Sequence, residues 1–377
     1  MYIQSLELSN FRNYSNLFIE FDNGTNILYG NNAQGKTNIL ESIYLAGTAK
    51  SHRAVRDKEI IRFDEQEAHI KAVVKKNNAP VRIDMHLKRN KSKGIAINGI
   101  PIRKASELFG IINVVFFSPE DLNIIKNGPA ERRRFIDMEL CQLDKLYVHN
   151  LVNYNKIINQ RNKLLKDIGF GNDRELRDTL DIWDMQLADF GAKIVTRRNQ
   201  FICDINEIIY GIHRKLTDNR EELNVKYEPN IIGNNLYEEL IRCREKDFKL
   251  KSTTVGPHRD DISFLIGDID IRKDGSQGQQ RTAALSLKLS EIELVKLMIK
   301  DIPILLLDDV LSELDSNRQK QLLESLNNVQ TIITCTGLDE FIENRFNIDT
   351  IYEVIGGTVN KMVSTSADEQ HRKEVEE

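Results

Sequence analysis

The stretch Gly30-Asn31-Asn32-Ala33-Gln34-Gly35-Lys36-Thr37 is the part of this 377-residue chain that decides its fold. It satisfies the pattern GxxxxGK[S/T], a loop whose backbone N–H groups surround a phosphate. Residues 26–29 before it are strand-like and residues 38–46 after it are helix-like, which is the context that the pattern requires. The glycines allow a tight curl, and the helix contributes the positive end of its dipole. We therefore predict a phosphate-binding loop in an α/β fold.

Two side chains of this loop have predicted chemical roles. Lys36 is expected to act in catalysis by reaching the β- and γ-phosphates of ATP, and the Thr37 hydroxyl is expected to ligate Mg²⁺. ATP and Mg²⁺ are therefore the predicted cofactors. The other loop residues are expected to hold the nucleotide mainly through the backbone; they are Gly30, Asn31, Asn32, Ala33, Gln34 and Gly35.

A second strand-like run, Ile304 to Leu307, ends in Asp308 and Asp309. Ligands of α/β sheets bind at the carboxyl ends of parallel strands, where these side chains are expected to stand. Asp308 is the predicted metal-binding carboxylate, and Asp309 is the predicted general base or water-orienting group. Alone, the run could equally be a strand followed by an acidic turn. Together with the loop, it predicts a site for nucleotide hydrolysis.

The segment Ser276 to Arg281 opens a long helical pattern, for which Ser276 could serve simply as the N-cap. The segment also resembles the signature motif of ABC ATPases, with Ser276 and Gly278 in the places of its serine and middle glycine. Residues 312–315, Ser-Glu-Leu-Asp, follow the carboxylates as the D-loop of that family does. The resemblance implies a homodimer formed on ATP binding, in which Ser276, Gly278 and Gln279 contact the nucleotide held by a second copy and Ser276 takes part in catalysis.

Several blocks spread over nearly the whole chain resemble the RecF family of bacterial recombination-repair ATPases. They are residues 8–14 (LSNFRNY), 30–37, 117–122 (FSPEDL), 131–137 (ERRRFID), 256–261 (GPHRDD), 276–281 and 307–315. The resemblance implies a two-lobed head without coiled-coil arms and a weak ATPase that binds single-stranded or gapped DNA. It further implies recombinase loading at gaps with RecR and RecO, and a part in replication and the SOS response.

The predicted fold is therefore α/β, an ABC-type ATPase head with mixed sheets and a helical lobe that carries the signature. We predict four segments: the N-terminal part of the ATPase lobe (1–122), the helical lobe (123–299), the C-terminal part of the ATPase lobe (300–363) and a flexible tail (364–377). Apolar residues at alternate positions predict strands, with a hairpin turn at Asn98-Gly99. Apolar residues at helical spacing predict helices between about 131 and 216, with a core stripe near Trp183 that includes Ile182, Met185, Leu187 and Ile194.

The composition of the chain bears on its cellular compartment and on the kind of surface that would contact DNA. The net charge of −4 predicts a local basic patch rather than a basic molecule. Candidate DNA contacts are Arg132, Arg133 and Arg134, and Lys50, Arg53 and Arg56, although intramolecular pairing explains such arginines equally well. Four scattered cysteines, no signal segment and no long apolar run predict a cytoplasmic protein without a membrane partner.

Some residues depart from the ABC pattern or stay without a clear role. Most ABC ATPases carry glutamate where Asp309 stands, so a shorter side chain predicts slow turnover. The usual inter-lobe glutamine and switch histidine are unassigned, with Thr334 or Thr336 in the region of the latter. Arg12 is expected beside the nucleotide. The alternatives are the energising subunit of a transporter, which shares the nucleotide motifs, and a small-molecule kinase, which leaves the signature segment unexplained.

Overall fold

The computed structural model describes residues 1–54, 56–168, 174–231, 235–325, 328–337 and 348–362. The chain divides into two compact units, one formed by Met1–Glu120 with Glu291–Glu377 and the other by Asp121–Ser290. The division at 290 differs from the predicted lobe boundary at 299, because one continuous helix, Gln277–Ile299, begins in the second unit and ends in the first. The predicted tail, 364–377, lies outside the described residues.

An antiparallel sheet forms much of the first unit, with strand order β2-β1-β4-β5-β6-β7. Buried and exposed residues alternate along these strands, and Ile83, Met85 and Leu87 are buried as the sequence predicts. The predicted hairpin turn is confirmed, since Asn98 and Gly99 both have positive φ, 52° and 80°. The strands are β1 (Tyr2–Phe11), β2 (Tyr14–Glu20), β4 (Glu67–Lys76), β5 (Ala79–Lys88), β6 (Lys91–Ile97) and β7 (Ile100–Pro101).

A second sheet of the same unit has the order β15-β14-β3-β13-β12-β8, and all its pairs are parallel except β14 with β15. Its strands are β3 (Thr25–Tyr29), β8 (Val114–Phe117), β12 (Ile304–Asp308), β13 (Thr331–Cys335), β14 (Thr350–Ile355) and β15 (Thr358–Met362). Helix α1 (Lys36–Thr48) follows β3, and α10 (Ser316–Ser325) connects β12 to β13. The carboxyl ends of β3, β12 and β13 therefore meet at one edge.

One continuous apolar core joins both sheets of this unit to α1. Ile39, Leu40 and Ile43 of the helix are fully buried in a cluster that contains Ile70 of the first sheet and Leu306 of the second. Both sheets thus hold the helix that starts at the phosphate-binding loop.

The second unit is mainly helical, with a small sheet in the order β11-β10-β9. Its helices are α2 (Leu122–Lys126), α3 (Pro129–Leu143), α4 (Lys145–Ile168), α5 (Arg174–Leu216), α6 (Leu236–Arg242), α7 (Arg244–Leu250) and α8 (Ile271–Asp274), and α9 (Gln277–Ile299) begins here. The strands are β9 (Leu223–Glu228), β10 (Asp261–Ile266) and β11 (Ile269–Asp270). Within the described ranges, none of the helices combines the length and apolar composition that crossing a lipid bilayer demands.

The predicted core stripe of α5 is only partly right. Leu187 and Ile194 are fully buried, whereas Ile182 and Met185 are 56% and 61% exposed. Successive residues of a helix are rotated by about 100°, which carries these two residues off the buried face. Trp183 is partly buried and packs on a cluster around Leu165.

Candidate nucleotide site

The phosphate-binding loop connects β3 to α1, as its sequence predicts. Gly30 and Gly35 have φ of 151° and 113°, and Ala33 between them has φ of 64°. A Cβ on Gly30 would lie 2.4 Å from the Val354 carbonyl oxygen, and one on Gly35 would lie 2.5 Å from Asn13 Nδ2. Conformation and space therefore both require glycine at the two positions.

Lys36 is buried at the start of α1, with 7% of its surface exposed. Its Nζ donates to the carbonyl oxygens of Gly30, at 2.5 Å, and Asn31, at 2.9 Å. Burial lowers the pKa of this ammonium, while the nearby carboxylates of Asp309 and Asp308 act in the opposite direction. A bound phosphate would supply the counter-charge that burial removes.

The two predicted metal ligands are in direct contact. The Thr37 hydroxyl donates to Oδ1 of Asp308 over 2.8 Å, which joins the end of the phosphate loop to the end of β12. Hydroxyl and carboxylate oxygens are hard ligands that suit Mg²⁺, and this ion usually keeps several waters and phosphate oxygens as its other ligands. Thr37 and Asp308 therefore fit the ion that the sequence predicts.

Thr334 links both carboxylate-bearing residues, a role that motif reading missed. Its hydroxyl donates to Asp308 Oδ1 at 2.8 Å and accepts from the backbone N–H of Asp309 at 3.0 Å. Asp309 itself has a positive φ of 52°, which turns the chain sharply after β12. The feature that brings Thr334 to the carboxylates is the parallel strand register, because Asp308 and Thr334 are paired across β12 and β13.

These groups surround a single cavity of about 320 Å³. Arg53, which the sequence suggested as a DNA contact, also lines this cavity and carries a positive charge there. The residues that line it are Asn32, Ala33, Gln34, Gly35, Lys36, Thr37, Asn38, Arg53, Asp308, Asp309 and Thr334.

Asn13, in the turn between β1 and β2, and Tyr14, the first residue of β2, both donate hydrogen bonds to the phosphate-binding loop. Asn13 Nδ2 donates to the Gln34 carbonyl oxygen at 2.9 Å, and the Tyr14 hydroxyl donates to that of Gly35 at 3.1 Å. Asn38 Nδ2 in turn donates to Asn13 Oδ1 at 2.8 Å. Sequence reading placed both residues in a family block but gave them no role.

Arg12 of the same turn is not among the described residues that line the cavity. Its guanidinium makes a bidentate contact with the buried Glu41, with Nε at 2.8 Å and Nη2 at 2.7 Å from the carboxylate oxygens. Burial alone would raise the pKa of Glu41, but hydrogen bonds from Arg12 and Ser51 hold it below its usual value. In this structure Arg12 therefore fixes α1 rather than lying in the cavity beside the loop.

The signature segment forms the N-terminus of α9. Ser276 Oγ accepts from the Gln279 N–H at 3.2 Å, and Gln279 Oε1 accepts from the Ser276 N–H at 2.9 Å, which is a capping box. The local reading of Ser276 as an N-cap is thus confirmed. Ser276 and Gly278 are exposed, so the first turn of the helix is open to a ligand.

A network of ion pairs fixes the segment that leads to Ser276. Asp261 accepts from Arg132 Nε at 2.6 Å and from Arg272 Nη1 at 2.7 Å, so it connects α3 to α8. Gln280 of α9 adds a buried hydrogen bond from Nε2 to the Ile271 carbonyl oxygen, 2.8 Å long. Arg132 of the block 131–137 and Asp261 of the block 256–261 thus form part of the support for the signature.

The predicted basic residues fall into different environments. Arg132 is 4% exposed and also donates to the carbonyl oxygen of Asn127, which leaves its guanidinium no surface for a DNA phosphate. Arg133 is half-buried and donates to the Asp260 carbonyl oxygen at 2.7 Å. Arg134, Lys50 and Arg56 are exposed. Arg132 is therefore paired within the protein, which was the alternative to DNA contact, because helix α3 directs its side chain towards Asp261.

Comparison with known proteins identifies relatives along nearly the whole chain. Residues 2–359 match the family described as "RecF/RecN/SMC N terminal domain". The chain is 62% identical to the DNA replication and repair protein RecF of Lachnoclostridium phytofermentans, over 96% of this chain and 100% of that protein. It is 64% identical to the protein of the same name from Lachnospira eligens, over 95% and 99% of the two chains.

Solved structures give the same result for the fold. The structure described as the recombination mediator protein RecF with ATP in the RecFOR pathway superposes with a TM-score of 0.89 at 36% identity, over 96% of this chain and 98% of the other. An Smc head domain from Pyrococcus furiosus superposes with a TM-score of 0.58 at 17% identity and complete coverage of both chains, which supports the fold alone. The predicted ABC-type ATPase head is confirmed.

Proposed function

This chain belongs to the RecF family of DNA replication and repair proteins, and we propose on that basis that it binds ATP and Mg²⁺ in the cavity lined by Lys36. The bound ATP and Mg²⁺ would control its affinity for DNA. ATP binding would join two copies on single-stranded or gapped DNA, and slow hydrolysis would release them. In the cytoplasm such a protein would help to load recombinase together with RecR and RecO, and would take part in the SOS response.

One observation carries the ATP proposal. Lys36, Thr37, Asp308, Asp309 and Thr334 come from three different segments of the chain, yet they line the same cavity. A cation for phosphate, a hydroxyl–carboxylate pair for Mg²⁺ and a second carboxylate for water are the groups that phosphoryl transfer needs. The related structure of RecF described as containing ATP supports the same nucleotide here.

Slow hydrolysis follows from the side chain that would orient water. The side chain of Asp309 is one methylene shorter than that of glutamate. The backbone of Asp309 has a positive φ, and its N–H donates a hydrogen bond to the Thr334 hydroxyl. A carboxylate that is not at ideal distance from the attacking water lowers the rate, because catalysis depends steeply on position. We infer that slow hydrolysis sets the lifetime of the ATP-bound state and does not drive rapid turnover.

The second copy would complete the site. Ser276, Gly278 and Gln279 lie at the start of α9, where Ser276 and Gly278 are exposed and the helix dipole favours an anion. Gln279 is held by Glu221, 2.9 Å from its Nε2, so the turn is preorganised. We propose that this turn contacts the γ-phosphate of ATP held by the other copy, and that Arg53 contacts phosphate within its own copy.

DNA binding would use the cations that the protein leaves exposed. Of the residues suggested by sequence, Lys50, Arg53, Arg56 and Arg134 are exposed, whereas Arg132 is buried; Arg53 is set aside here because it lines the nucleotide cavity. We therefore restrict the candidate contacts to the exposed residues, with Arg133 as a half-buried addition. Such contacts to phosphate would make the affinity fall steeply with salt.

The proposal is tested by DNA retention on a gapped substrate with ATP, without nucleotide, and with ATP in the Lys36→Met variant. We expect retention only of the wild type with ATP. Equal retention in all three samples would overturn ATP gating, while tight co-purification with a membrane protein and no DNA affinity would favour the transporter alternative. The known relatives, named for DNA replication and repair, do not favour that alternative.

A further inference from the structure

Three possible metal ligands lie together on the antiparallel sheet, outside the nucleotide site. Glu67 and His69 are two residues apart on β4, and His86 on β5 is the direct cross-strand partner of His69. Side chains alternate between the two faces of a strand, and paired residues share a face. The strand register therefore brings one carboxylate and two imidazoles to the same face of the sheet, which is the face exposed to solvent.

The spacing of these groups suits a small ion. One ligand atom from each of the three residues can be chosen so that all lie within 4.8 Å of one another. His86 Nε2 is 2.9 Å from one Glu67 oxygen, and His69 Nε2 is 4.0 Å from the other. Tetrahedral ligands at the usual zinc distances are about 3.3 Å apart. One separation is slightly short and the other slightly long, so small rotations of exposed side chains are sufficient.

The stacking of the two histidine rings also suits an ion bound by both of them. The two imidazole rings stack with centroids 4.0 Å apart and planes inclined by 24°, so two charged rings would repel each other.

The surroundings of the three residues provide space for an ion and a positive charge that would compete with it. Gly94 of β6 is the cross-strand neighbour of His86 and has no side chain, and a groove of about 470 Å³ lies beside the two histidines. Lys71 is paired with Glu7 at 2.8 Å, but Lys88 Nζ lies 3.7 Å from Glu67 and would compete with a bound cation.

We propose that Glu67, His69 and His86 form a surface site for a divalent transition-metal ion, with Zn²⁺ as the best fit. Imidazole ligands select zinc and its neighbours over Mg²⁺ and Ca²⁺, which prefer oxygen ligands. Three protein ligands leave a further position open to water or to a group from another molecule. The ion would tie β4 to β5, whose opposite face packs in the same core as α1.

The test is a titration of the untagged full chain, freed of metal by a chelator, with Zn²⁺ by calorimetry and with Co²⁺ by visible absorption. We expect one ion per chain, a tetrahedral Co²⁺ spectrum and a higher Tm with Zn²⁺. His69→Gln and His86→Gln should each weaken Zn²⁺ binding about tenfold or more. His149→Gln, at an exposed histidine of α4, should bind like the wild type.

Two further outcomes decide the proposal. Lys88→Gln should strengthen Zn²⁺ binding by about threefold, because it removes the competing cation, and Mg²⁺ in large excess should not displace the ion. Circular dichroism of each variant checks that it folds like the wild type. Equal Zn²⁺ affinity in the wild type and both histidine variants, or no binding at a several-fold excess of Zn²⁺, would overturn the proposal.

Discussion

At the scale of single residues, the hydroxyl of Thr334 joins the two carboxylate positions of the nucleotide site. It donates to Asp308 and accepts from the N–H of Asp309, so it fixes both the proposed metal ligand and the proposed water-orienting residue. Removing this hydroxyl leaves the phosphate-binding loop unchanged. It removes the hydrogen bonds that hold Asp308 and Asp309 at the end of β12. The loss should therefore affect the rate of hydrolysis more than the affinity for ATP.

We expect Thr334→Val to lower the kcat for ATP about tenfold, or ~1.4 kcal/mol in transition-state stabilisation, with little change in the Kd for ATP. Steady-state turnover and nucleotide titration measure the two quantities. Thr336→Val is the matched control, because Thr336 is exposed and is not among the described residues that line the cavity. A Thr334→Val variant with wild-type turnover would exclude this role.

His258 gives a prediction about pH. Its Nδ1 lies 2.7 Å from the Tyr154 hydroxyl and its Nε2 lies 3.1 Å from the Thr253 carbonyl oxygen, so the ring is neutral with the proton on Nε2. Burial lowers its pKa from 6.5 to about 4. Between these values the unfolded chain binds a proton that the folded chain does not, so stability is lost as the pH falls through this window.

The free energy of unfolding should fall by about 2 kcal/mol between pH 7 and pH 5 through this group alone. Urea unfolding at both pH values measures the change. His258→Gln keeps a donor near the Thr253 carbonyl oxygen but cannot titrate, so its pH dependence should be weaker by this amount. The same slope in both proteins would show that His258 does not contribute.

At the scale of elements, the N-terminus of α9 has a structural role that is observed and a binding role that is proposed. Ser276→Ala removes the cap and should lower the free energy of unfolding by about 1 kcal/mol. Ser276→Asp keeps a capping oxygen and should preserve stability, yet its charge should repel phosphate and lower ATPase activity at least tenfold. Thermal unfolding and turnover separate the two roles. Normal activity in a stable Ser276→Asp variant would exclude the phosphate contact.

The phosphate-binding loop depends on a backbone that only glycine can supply. Gly35→Ala would place a methyl group 2.5 Å from Asn13 at a φ of 113°, so we expect loss of ATP binding by more than about tenfold. Gly128→Ala is the matched control, since nothing lies within 4 Å of its added Cβ. Nucleotide titration by fluorescence would measure both, and wild-type affinity in Gly35→Ala would contradict the assigned conformation.

The elements also show what could be predicted from sequence. The strand, loop and helix around Gly30 follow from local glycine chemistry, and the hairpin at Asn98-Gly99 follows from turn preferences, so both were predicted correctly. Thr334 and Arg53 were not placed at the site, because their positions depend on strand register and on chain folding after α1. The partner of Arg132 could not be predicted for the same reason, since Asp261 lies 129 residues away in the sequence.

At the scale of the whole molecule, the family and the fold are fixed by features that extend over both compact units. The phosphate loop and carboxylates belong to the first unit, and the signature serine belongs to the second. Each is complete as a local structure: Lys36 is satisfied by loop carbonyls, and Ser276 by its capping box. ATP shared between two copies, as proposed above, would give the exposed signature turn its function.

The most direct test of this account is sedimentation velocity of the wild type, Lys36→Met, Ser276→Arg and an equimolar mixture of the two variants, each with ATP and Mg²⁺. A separate titration checks that Ser276→Arg binds ATP normally. The account predicts ATP-dependent dimers for the wild type, monomers for each variant alone, and partial dimer formation in the mixture, where one intact loop meets one intact signature. Dimers of Ser276→Arg alone, as abundant as those of the wild type, would contradict it.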